Sequence, residues 1–493
     1  MPDSQSAVLA RVKGAAIDGR LRILRIRQQQ FLSLHSVLVQ QREAALQAIQ
    51  SDDNCSLEEA LIVYGSSLIE LRNHYNALDL PTDLEQEYRI AKKKSNEDRR
   101  TPIAITYIIP GKFTLFFSVL SPLCAALEAG SCVIVELQNT ILKTPKLLQQ
   151  IIFESLDREA FGIVSARAPV KYLAHCVVVD QNTDLTLGGI SPRRVLSSPA
   201  HRSIAVVDRT GDVELAAKEI VASRSAFGGA TPYAVDLVIV NEFVLERFNT
   251  AAARALNEVR EREKAKGARD MESEPNRRIK LSNSKIISEA EKDDNVKWVG
   301  GDSNLGLLQV LNRDHPLARS RLTSSRVVFV HPTTSLDDSI DLLSTDHQQE
   351  IPIAALYLFS ADREAKYLSQ YIANQATYVN HIPAQLLIGP RTPFDYPINL
   401  QQRYTHDMFE IPSPQIVPSA RSHLTSTILK KASFIDSIAR KPLKDMGQPP
   451  SGAWGFFEQG IVIGAFTYLL PMIGITITGF GYVLWKCYWN IRG

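Results

Sequence analysis

The sequence predicts an α/β protein that carries one long apolar helix near its C-terminus. The first observation is a strand–helix–strand pattern between Ile103 and Val135, which is the unit from which parallel sheets are built. The second is the uncharged run from Gly460 to Trp485. The third is a set of short apolar runs, typical of buried strands and mostly followed by helix-like sequence. These runs are Leu237–Val240, Arg326–Val330 and Ala354–Phe359.

Composition places the chain among globular proteins of a reducing compartment. Its 493 residues suffice for about two to four domains, and a hydrophobic content of 45% excludes a disordered chain. The 55 Lys and Arg residues against 53 Asp and Glu residues leave a formal net charge of +2, which argues against a nucleic-acid partner. The five cysteines form no C-x-x-C pair and no Cys/His cluster, so neither a disulfide framework nor a metal site is predicted.

The N-terminal region predicts two helices. From Gly19 to Gln50, apolar residues recur near the helical period among Arg and Gln, as in an amphipathic helix. Ser56, with Glu59 three residues later, has the pattern of a capping box at the start of a second helix, which runs to about Asn76. The preceding stretch, Met1 to Arg20, lacks the apolar run of a secretory signal, so we expect the chain to begin in the cytosol.

The central region predicts the alternation of an α/β fold. Ile103–Ile109 is β-branched and apolar, Phe113–Ala129 is helix-like and Cys132–Val135 is apolar again. Lys143–Phe153 is predicted to be the next helix. Farther along, Val259–Arg278 carries alternating charges with few apolar residues, which indicates a solvated helix end and a loop and not a binding tail.

The run from Gly460 to Trp485 predicts a transmembrane helix. It carries no charge and exceeds the roughly 20 apolar residues that span a bilayer, and aromatic residues flank it at both ends. Pro471 would kink such a helix without forbidding it; the alternative is a buried core helix. We expect a single-pass, tail-anchored protein whose bulk is cytosolic, in an organelle membrane that the sequence does not specify.

Several stretches resemble the aldehyde dehydrogenase superfamily, in particular its class 3, fatty-aldehyde type with a hydrophobic tail. Pro102–Val135 is similar to the P-x-G-x-x-x-x-I-x-P-W-N-Y-P strand and its following helix, and Leu185–Pro192 is similar to L-E-L-G-G-K-S-P. Ile351–Glu364, Tyr378–Pro383 and Thr392–Phe394 resemble the P-L-x-x-Y-x-F, V-N-D and P-F-G-G segments, and Arg22–Leu34 resembles the first helix of that class.

The resemblance implies two Rossmann-like parallel-sheet domains followed by the transmembrane helix. Residues 1–215 would hold the N-terminal helices and the nucleotide-binding domain, and residues 216–390 the catalytic-type domain. Residues 391–450 would form a C-terminal segment and linker, and residues 460–485 the membrane span.

The catalytic positions that the resemblance implies carry other residues. In the family a cysteine thiolate attacks the aldehyde, an asparagine amide stabilises the oxyanion and a glutamate activates water. Here Pro232 falls at the cysteine, Thr186 at the glutamate and Lys112 at the asparagine. No cysteine lies between Cys176 and Cys487. The sequence therefore predicts loss of ordinary aldehyde dehydrogenase activity.

The cofactor positions that the resemblance implies are altered as well. Glu136 stands where a lysine holds the adenosine ribose, and Val164 and Ser165 stand where glycine-containing sequence opens the nucleotide helix; Gly188 is retained. A β-branched residue obstructs the close backbone approach that a pyrophosphate needs. We expect no cofactor, or NAD or NADP if the chain is active after all.

Three functions are compatible with this sequence. The first is a membrane-anchored, catalytically degenerate homologue that acts as a scaffold, binds a metabolite or pairs with an active relative, as a homodimer or heterodimer. The second is an NAD(P)-dependent oxidoreductase that oxidises a lipophilic or secondary-metabolite aldehyde with a rearranged site. The third is unrelated chemistry through His175, His381 or His406, although ordinary roles are more common for such histidines.

Overall fold

The computed structural model describes residues 4–182, 193–198, 200–266, 293–302, 305–319, 321–322, 325–344, 353–418, 425–430, 432–447 and 456–492. The chain divides into two compact units, Met1–Val417 and Pro418–Gly493. In the first unit, the described α-helices are Gln5–Ile17, Leu24–Gln40, Arg42–Asp53, Leu57–Asn76, Leu80–Tyr88, Leu115–Ala129, Lys143–Ser155, Val170–Leu173, Val213–Ser225, Leu245–Lys266, Pro316–Arg319, Leu336–Ser344 and Asp362–Tyr371.

The N-terminal helices correct one prediction and confirm another. The single helix expected from Gly19 to Gln50 is two helices, Leu24–Gln40 and Arg42–Asp53. Leu38 is buried in the first of them, and the next inward position at helical spacing would be Arg42, so the chain bends there instead of burying a charge. The capping box is confirmed: the Glu59 N–H donates to Ser56 Oγ at 3.2 Å, and the Ser56 N–H donates to Glu59 Oε2 at 2.8 Å.

The first sheet is parallel throughout and has five strands in the order β4-β3-β2-β5-β6. Its strands are β2 (Ile105–Ile109), β3 (Cys132–Glu136), β4 (Phe161–Val164), β5 (Val177–Asp180) and β6 (Arg193–Leu196). The predicted strand–helix–strand unit is therefore present, with the almost entirely buried helix Leu115–Ala129 as its crossover. Burial of both faces explains why these strands are continuously apolar and not alternating.

The second sheet has seven strands in the order β13-β12-β7-β8-β11-β10-β9, of which only the edge strand β9 is antiparallel. Its strands are β7 (Ser203–Val207), β8 (Leu237–Asn241), β9 (Val296–Gly301), β10 (Gly306–Val310), β11 (Val328–Thr333), β12 (Ala355–Phe359) and β13 (Thr377–Val379). The predicted architecture of two parallel sheets is confirmed. Because β7 already belongs to the second sheet, the sheets change between Leu196 and Ser203; the domain boundary at residue 215 stays a prediction.

A short antiparallel pair joins distant parts of the first unit. β1 (Arg100–Pro102) pairs with β14 (Glu410–Pro412). The segment after β13 thereby returns to the five-stranded half, where Tyr404, Met408 and Phe409 are buried in the same hydrophobic cluster as β2 and β3.

The second unit contains the long apolar helix. Its helices are Thr425–Lys430, Ala432–Ala439, Phe456–Gly464, Leu470–Arg492 and, between the last two, a π-helical turn at Ala465–Leu469. Glu458–Lys486 is long and apolar enough to cross a membrane, with mean hydropathy 2.0 and none of it buried. The π-turn ends two residues before Pro471. Proline has no N–H to continue the helical hydrogen bonds, which accounts for an irregularity at this place.

Candidate functional site

Three of the sequence-predicted cofactor positions lie together at the carboxyl edge of the five-stranded sheet. Glu136 ends β3 and Val164 ends β4, and the two residues are register partners across the ladder. Ser165 follows directly in the chain. In open parallel sheets, ligands bind at this edge. The structure therefore brings Glu136, Val164 and Ser165 into one place where a ligand could be held.

The carboxylate of Glu136 is engaged by protein groups on both oxygens. Arg167 donates from Nε to Oε2 at 3.2 Å and from Nη2 to Oε1 at 3.3 Å. The Tyr107 hydroxyl, from β2, donates to Oε2 at 2.8 Å and accepts the Ala168 N–H at 3.1 Å. Only 6% of Glu136 is exposed. Glu136 is thus a buried carboxylate whose counter-charge, Arg167, belongs to the same chain.

The environment of Glu136 keeps both donors protonated. Burial, and then the charge of Glu136, raises the pKa of Tyr107. Burial would lower the pKa of Arg167, but the hydrogen bond and the charge of Glu136 outweigh it, and the pKa is raised. Arg167 is therefore a permanent cation and Tyr107 a neutral donor at neutral pH.

Lys112 lies at the neighbouring strand ends, where β2 and β5 form the switch point of the sheet. The Gly111 N–H donates to Gln181 Oε1 at 2.6 Å, and Asn182 Nδ2 donates to the Pro110 carbonyl at 2.9 Å. The two strand ends are thus joined by side-chain hydrogen bonds across the crevice where a ligand would otherwise bind. The side chain of Lys112 is exposed to solvent.

The loop in which the family places its nucleophile has a constrained backbone. Phe227, Gly228 and Gly229 all have positive φ, at 48°, 63° and 78°. A Cβ at Gly229 would lie 2.2 Å from the Ser325 carbonyl oxygen, so only glycine fits. The Phe227 N–H donates to Glu59 Oε1 at 2.6 Å. The capping-box glutamate therefore also fixes this loop, a role that the sequence did not indicate.

Pro232, at the nucleophile position of the same loop, is held by a buried arginine. Its carbonyl accepts hydrogen bonds from Arg391 Nε, at 2.9 Å, and from Arg391 Nη2. The guanidinium of Arg391 lies 5.5 Å from the centre of the Tyr233 ring, and the Tyr233 hydroxyl accepts the Thr392 N–H at 3.0 Å. Only 2% of Arg391 is exposed. A packed cation therefore lies against the backbone of this loop.

The four cysteines whose side chains the structure describes are poor nucleophiles where they lie. Cys124, Cys132 and Cys176 are buried, and burial raises the pKa of Cys132 and of Cys176 to about 12 and that of Cys124 well above its usual value. Burial likewise raises the pKa of the half-buried Cys55 to about 12. Because the thiolate is the reactive form, these thiols are protonated and unreactive at neutral pH.

The remaining predicted positions show no constellation for catalysis. Thr186 and Gly188 lie outside the described residues. His175 and His381 are exposed, whereas His406 Nδ1 lies 3.3 Å from Glu128 Oε1. In the part of the chain that the structure describes, no group of three or more His, Cys, Asp or Glu side chains could hold a metal ion.

The partners of the replaced residues were missed by sequence reasoning. Arg167, Tyr107 and Arg391 carried no motif. One signal was available for Arg167, because a glutamate at the end of a buried strand requires a nearby counter-charge, and Arg167 is three residues beyond β4. Arg391 meets Pro232 from 159 residues along the chain, so no local pattern could have paired them.

Comparison with known proteins agrees with this fold. No protein-family model matches the chain. Aldehyde dehydrogenase family 3 member B1 of Bos taurus is 26% identical over 170 residues, which span 33% of this chain and 35% of that relative. The similarity in sequence thus covers about a third of the relative's length.

Solved structures resemble the chain over most of its length. The substrate-bound AldH of Staphylococcus aureus has a TM-score of 0.66 at 17% identity, covering 89% of this chain and 100% of that one. KauB, an aldehyde dehydrogenase of Pseudomonas aeruginosa, has a TM-score of 0.64 at 14% identity, covering 84% and 88%. AldA, the P. syringae indole-3-acetaldehyde dehydrogenase in complex with NAD+ and IAA, has a TM-score of 0.62 at 14% identity, covering 83% and 87%.

Both comparisons confirm the resemblance that the sequence motifs indicated. The expected fold is present at low identity, and the relative found by sequence belongs to aldehyde dehydrogenase family 3. The chain therefore has the aldehyde dehydrogenase fold, and over about a third of its length its sequence resembles a class 3 aldehyde dehydrogenase.

Proposed function

We propose that this protein is a membrane-anchored, catalytically degenerate member of the aldehyde dehydrogenase fold that works by binding a metabolite or a partner protein. The observation that carries the proposal is the contact between Arg391 and the Pro232 carbonyl. Proline has no nucleophilic side-chain atom, and the arginine fixes the loop in a packed state. Covalent capture of an aldehyde requires a soft nucleophile at this position.

The four described thiols whose side chains are placed support the same conclusion. Each has a raised pKa, with burial as the largest cause. Restoring one of them as a nucleophile would require both its exposure and a nearby cation or base. The structure offers no such environment at Cys124, which is only 1% exposed.

The cofactor positions do not fit a dinucleotide. Where the family resemblance places a cation toward the ribose, this chain has the Glu136 carboxylate, closed by Arg167 and Tyr107. The hydroxyls of a cofactor ribose would have to compete with Arg167 and Tyr107 for the oxygens of Glu136. Among proteins of the same fold, AldA is seen with NAD+, and NAD or NADP is therefore the cofactor to test.

Membrane anchoring through Glu458–Lys486 completes the proposal. The segment has mean hydropathy 2.0 and is uncovered by protein, and an exposed apolar surface of that length is stable in a bilayer and not in water. Within it, Thr467, Thr476 and Thr478 donate their hydroxyls to backbone carbonyls one turn earlier, so these polar groups are satisfied without water. The cytosolic orientation of the bulk stays a prediction.

The decisive experiment measures cofactor binding and turnover together. The full chain, purified in a non-ionic detergent, is titrated calorimetrically with NAD and with NADP, and NADH formation is followed with medium- and long-chain aldehydes. An active class 3 enzyme in the same detergent is the positive control. We expect neither binding nor turnover. Micromolar NAD affinity with aldehyde-dependent reduction would instead establish the oxidoreductase function and refute degeneracy.

Two further measurements address the anchor and the partner. The full chain should float with liposomes, whereas a chain ending at Gly447 should remain in the soluble fraction; equal behaviour of the two would refute the anchor. Light scattering of the detergent-solubilised chain, alone and mixed with an active class 3 enzyme, tests homodimers and heterodimers. A strictly monomeric result in both cases leaves metabolite binding as the role and excludes the paired scaffold.

A further inference from the structure

Three guanidinium groups meet one carboxylate beside the Pro232 loop. We call Arg224, Arg321 and Arg391, together with Asp236, whose charge acts on all three, the arginine cluster. Arg224 ends the helix Val213–Ser225, Asp236 directly precedes β8, and Arg391 is the residue that holds Pro232. The cluster therefore lies at the amino edge of the seven-stranded sheet, away from the Glu136 site.

The carboxylate of Asp236 already accepts hydrogen bonds from two backbone N–H groups. Its Oδ2 accepts the Ser203 N–H at 3.0 Å and its Oδ1 accepts the Leu322 N–H at 3.1 Å. Arg224 Nη1 lies 3.6 Å from Asp236 Oδ1, an ion-pair distance with no hydrogen bond. Asp236 thus neutralises one positive charge while its oxygens are largely occupied by backbone donors.

The cluster carries more positive than negative charge. The pKa of Arg224 is lowered to about 10 and that of Arg391 to about 9; burial is the largest cause in both, repulsion by Arg321 adds to it, and Asp236 opposes it. All three arginines remain protonated at neutral pH. Asp236 is the one carboxylate of the described chain that acts on all three, so three positive charges face one negative charge.

Several buried donors in and beside the cluster have no partner within the described chain. They are Nε and Nη1 of Arg224, Nε and Nη1 of Arg321, Nη1 of Arg391, and the hydroxyls of Thr231 and Thr392. Arg224 is 0% exposed and Thr231 is 1% exposed. Native proteins pair the great majority of buried polar groups, and an uncompensated buried charge is strongly unfavourable.

We propose that the arginine cluster is a binding site for a small oxyanion, a carboxylate or inorganic phosphate. Such an anion supplies the missing negative charge, and its oxygens accept from guanidinium forks in charge-assisted hydrogen bonds. Thr231 and Thr392 flank Pro232 and Arg391 in sequence and provide hydroxyl donors. Arg321 is only half-buried, so it is the most exposed of the three arginines. This site goes beyond the proposed function and does not depend on it.

The test is a ligand-dependent shift of stability in the full chain in detergent. Thermal unfolding is followed with rising potassium phosphate, potassium acetate and potassium chloride at equal ionic strength. Phosphate or acetate should raise Tm with the logarithmic dependence of a single bound ligand, whereas chloride should not. The anion with the larger shift at equal concentration identifies the oxyanion class, and calorimetric titration gives its Kd.

A matched pair of variants locates the effect. Arg321→Gln removes a guanidinium whose Nε and Nη1 have no partner, so the variant should fold and its anion affinity should fall by about tenfold or more, as loss of a charge-assisted bond predicts. Arg321→Lys should retain part of the affinity. Arg254→Gln, on an exposed pair with Glu214, should leave the anion effect unchanged.

Two results would overturn the site. One is a wild-type Tm that follows ionic strength alone, with phosphate, acetate and chloride equivalent; this arm needs no variant. The other is an unchanged Kd in Arg321→Gln, which would place the anion elsewhere. Neither result bears on NAD binding, so the site and the loss of catalysis stand or fall separately.

Discussion

Two of the buried ionic centres of the described chain, at Glu136 and at Asp236, are opposites. At the carboxyl edge of the five-stranded sheet, Glu136 faces Arg167, and every oxygen of the carboxylate has a donor. At the amino edge of the seven-stranded sheet, Asp236 faces three arginines, and several of their N–H groups have no partner within the described residues. At the first centre the protein's own groups neutralise the buried charge, whereas at the second centre the described groups leave a surplus of positive charge.

This difference separates the site that we propose is lost from the anion site that we propose is present. A charge pair whose hydrogen bonds are complete, as at Glu136, leaves a ligand to compete with the protein's own donors. A centre with surplus charge and unpaired donors is stabilised by whatever supplies the missing acceptor. The predictions below test each side of that contrast.

The largest effect is expected from Asp236→Ala. It leaves three arginines without a carboxylate and the N–H groups of Ser203 and Leu322 without an acceptor, which should lower the free energy of unfolding by about 3–5 kcal/mol. Urea unfolding followed by circular dichroism measures it. Adding Arg321→Gln should recover part of the loss, since one surplus cation is removed; strictly additive effects would show that the two residues are not coupled.

A smaller effect is expected from Glu136→Gln. The amide keeps the shape of the side chain but loses the charge that pairs with Arg167, and it should lower the free energy of unfolding by about 1–3 kcal/mol. Because Arg167 is partly exposed, water can solvate it in the variant. Chemical denaturation measures the change, and a loss as large as that of Asp236→Ala would contradict the distinction between the two centres.

Asp53 is a carboxylic acid with a raised pKa, so its contribution to stability can be tested by varying the pH. Burial, and then the charge of Asp52, raises its pKa to about 7. The native state thus holds a proton that the unfolded state releases near pH 4, so stability from this group is full below about pH 4 and is lost as pH rises through about 7. Asp53→Asn should remove this part of the pH dependence. Identical pH–stability curves for variant and wild type would refute the shift.

The smallest effect is expected from Glu214→Ala. Its pair with Arg254 is exposed on both sides, with Nη1 and Oε2 3.3 Å apart, and such pairs contribute about 0–1 kcal/mol. The same unfolding assay serves as the baseline for the buried substitutions. If this variant lost as much as Glu136→Gln, burial would not be what distinguishes the ionic centres.

Much of the fold was predictable because strands buried on both faces are legible as short apolar runs. The strand predicted at Cys132–Val135 spans Cys132–Glu136, and the strand predicted at Leu237–Val240 spans Leu237–Asn241. The helix Gln5–Ile17 was missed, since its buried face of Val8, Leu9 and Val12 is narrow within a polar, alanine-rich stretch. The break at Gln41 was missed because period alone does not reveal where packing redirects a helix.

For the candidate site, the sequence predicted only which residues of the family's motifs are replaced. The motif alignment located Glu136, Val164 and Pro232, and the structure places the first two side by side. Their partners follow no motif: only the need of Glu136 for a counter-charge pointed to Arg167, and Arg391 reaches Pro232 from 159 residues along the chain. Hydrogen bonds between segments that are far apart in the sequence depend on how the chain folds back on itself, and local sequence does not encode that.

The sequence by itself determined the α/β class, the apolar C-terminal helix and the absence of a cysteine at the expected loop, because each depends on residue type and spacing along the chain. Only the tertiary structure decided that Glu136 is neutralised within the protein while the charge around Asp236 is not. Electrostatic balance is a property of positions in space, and folding brings together charges that the sequence keeps far apart.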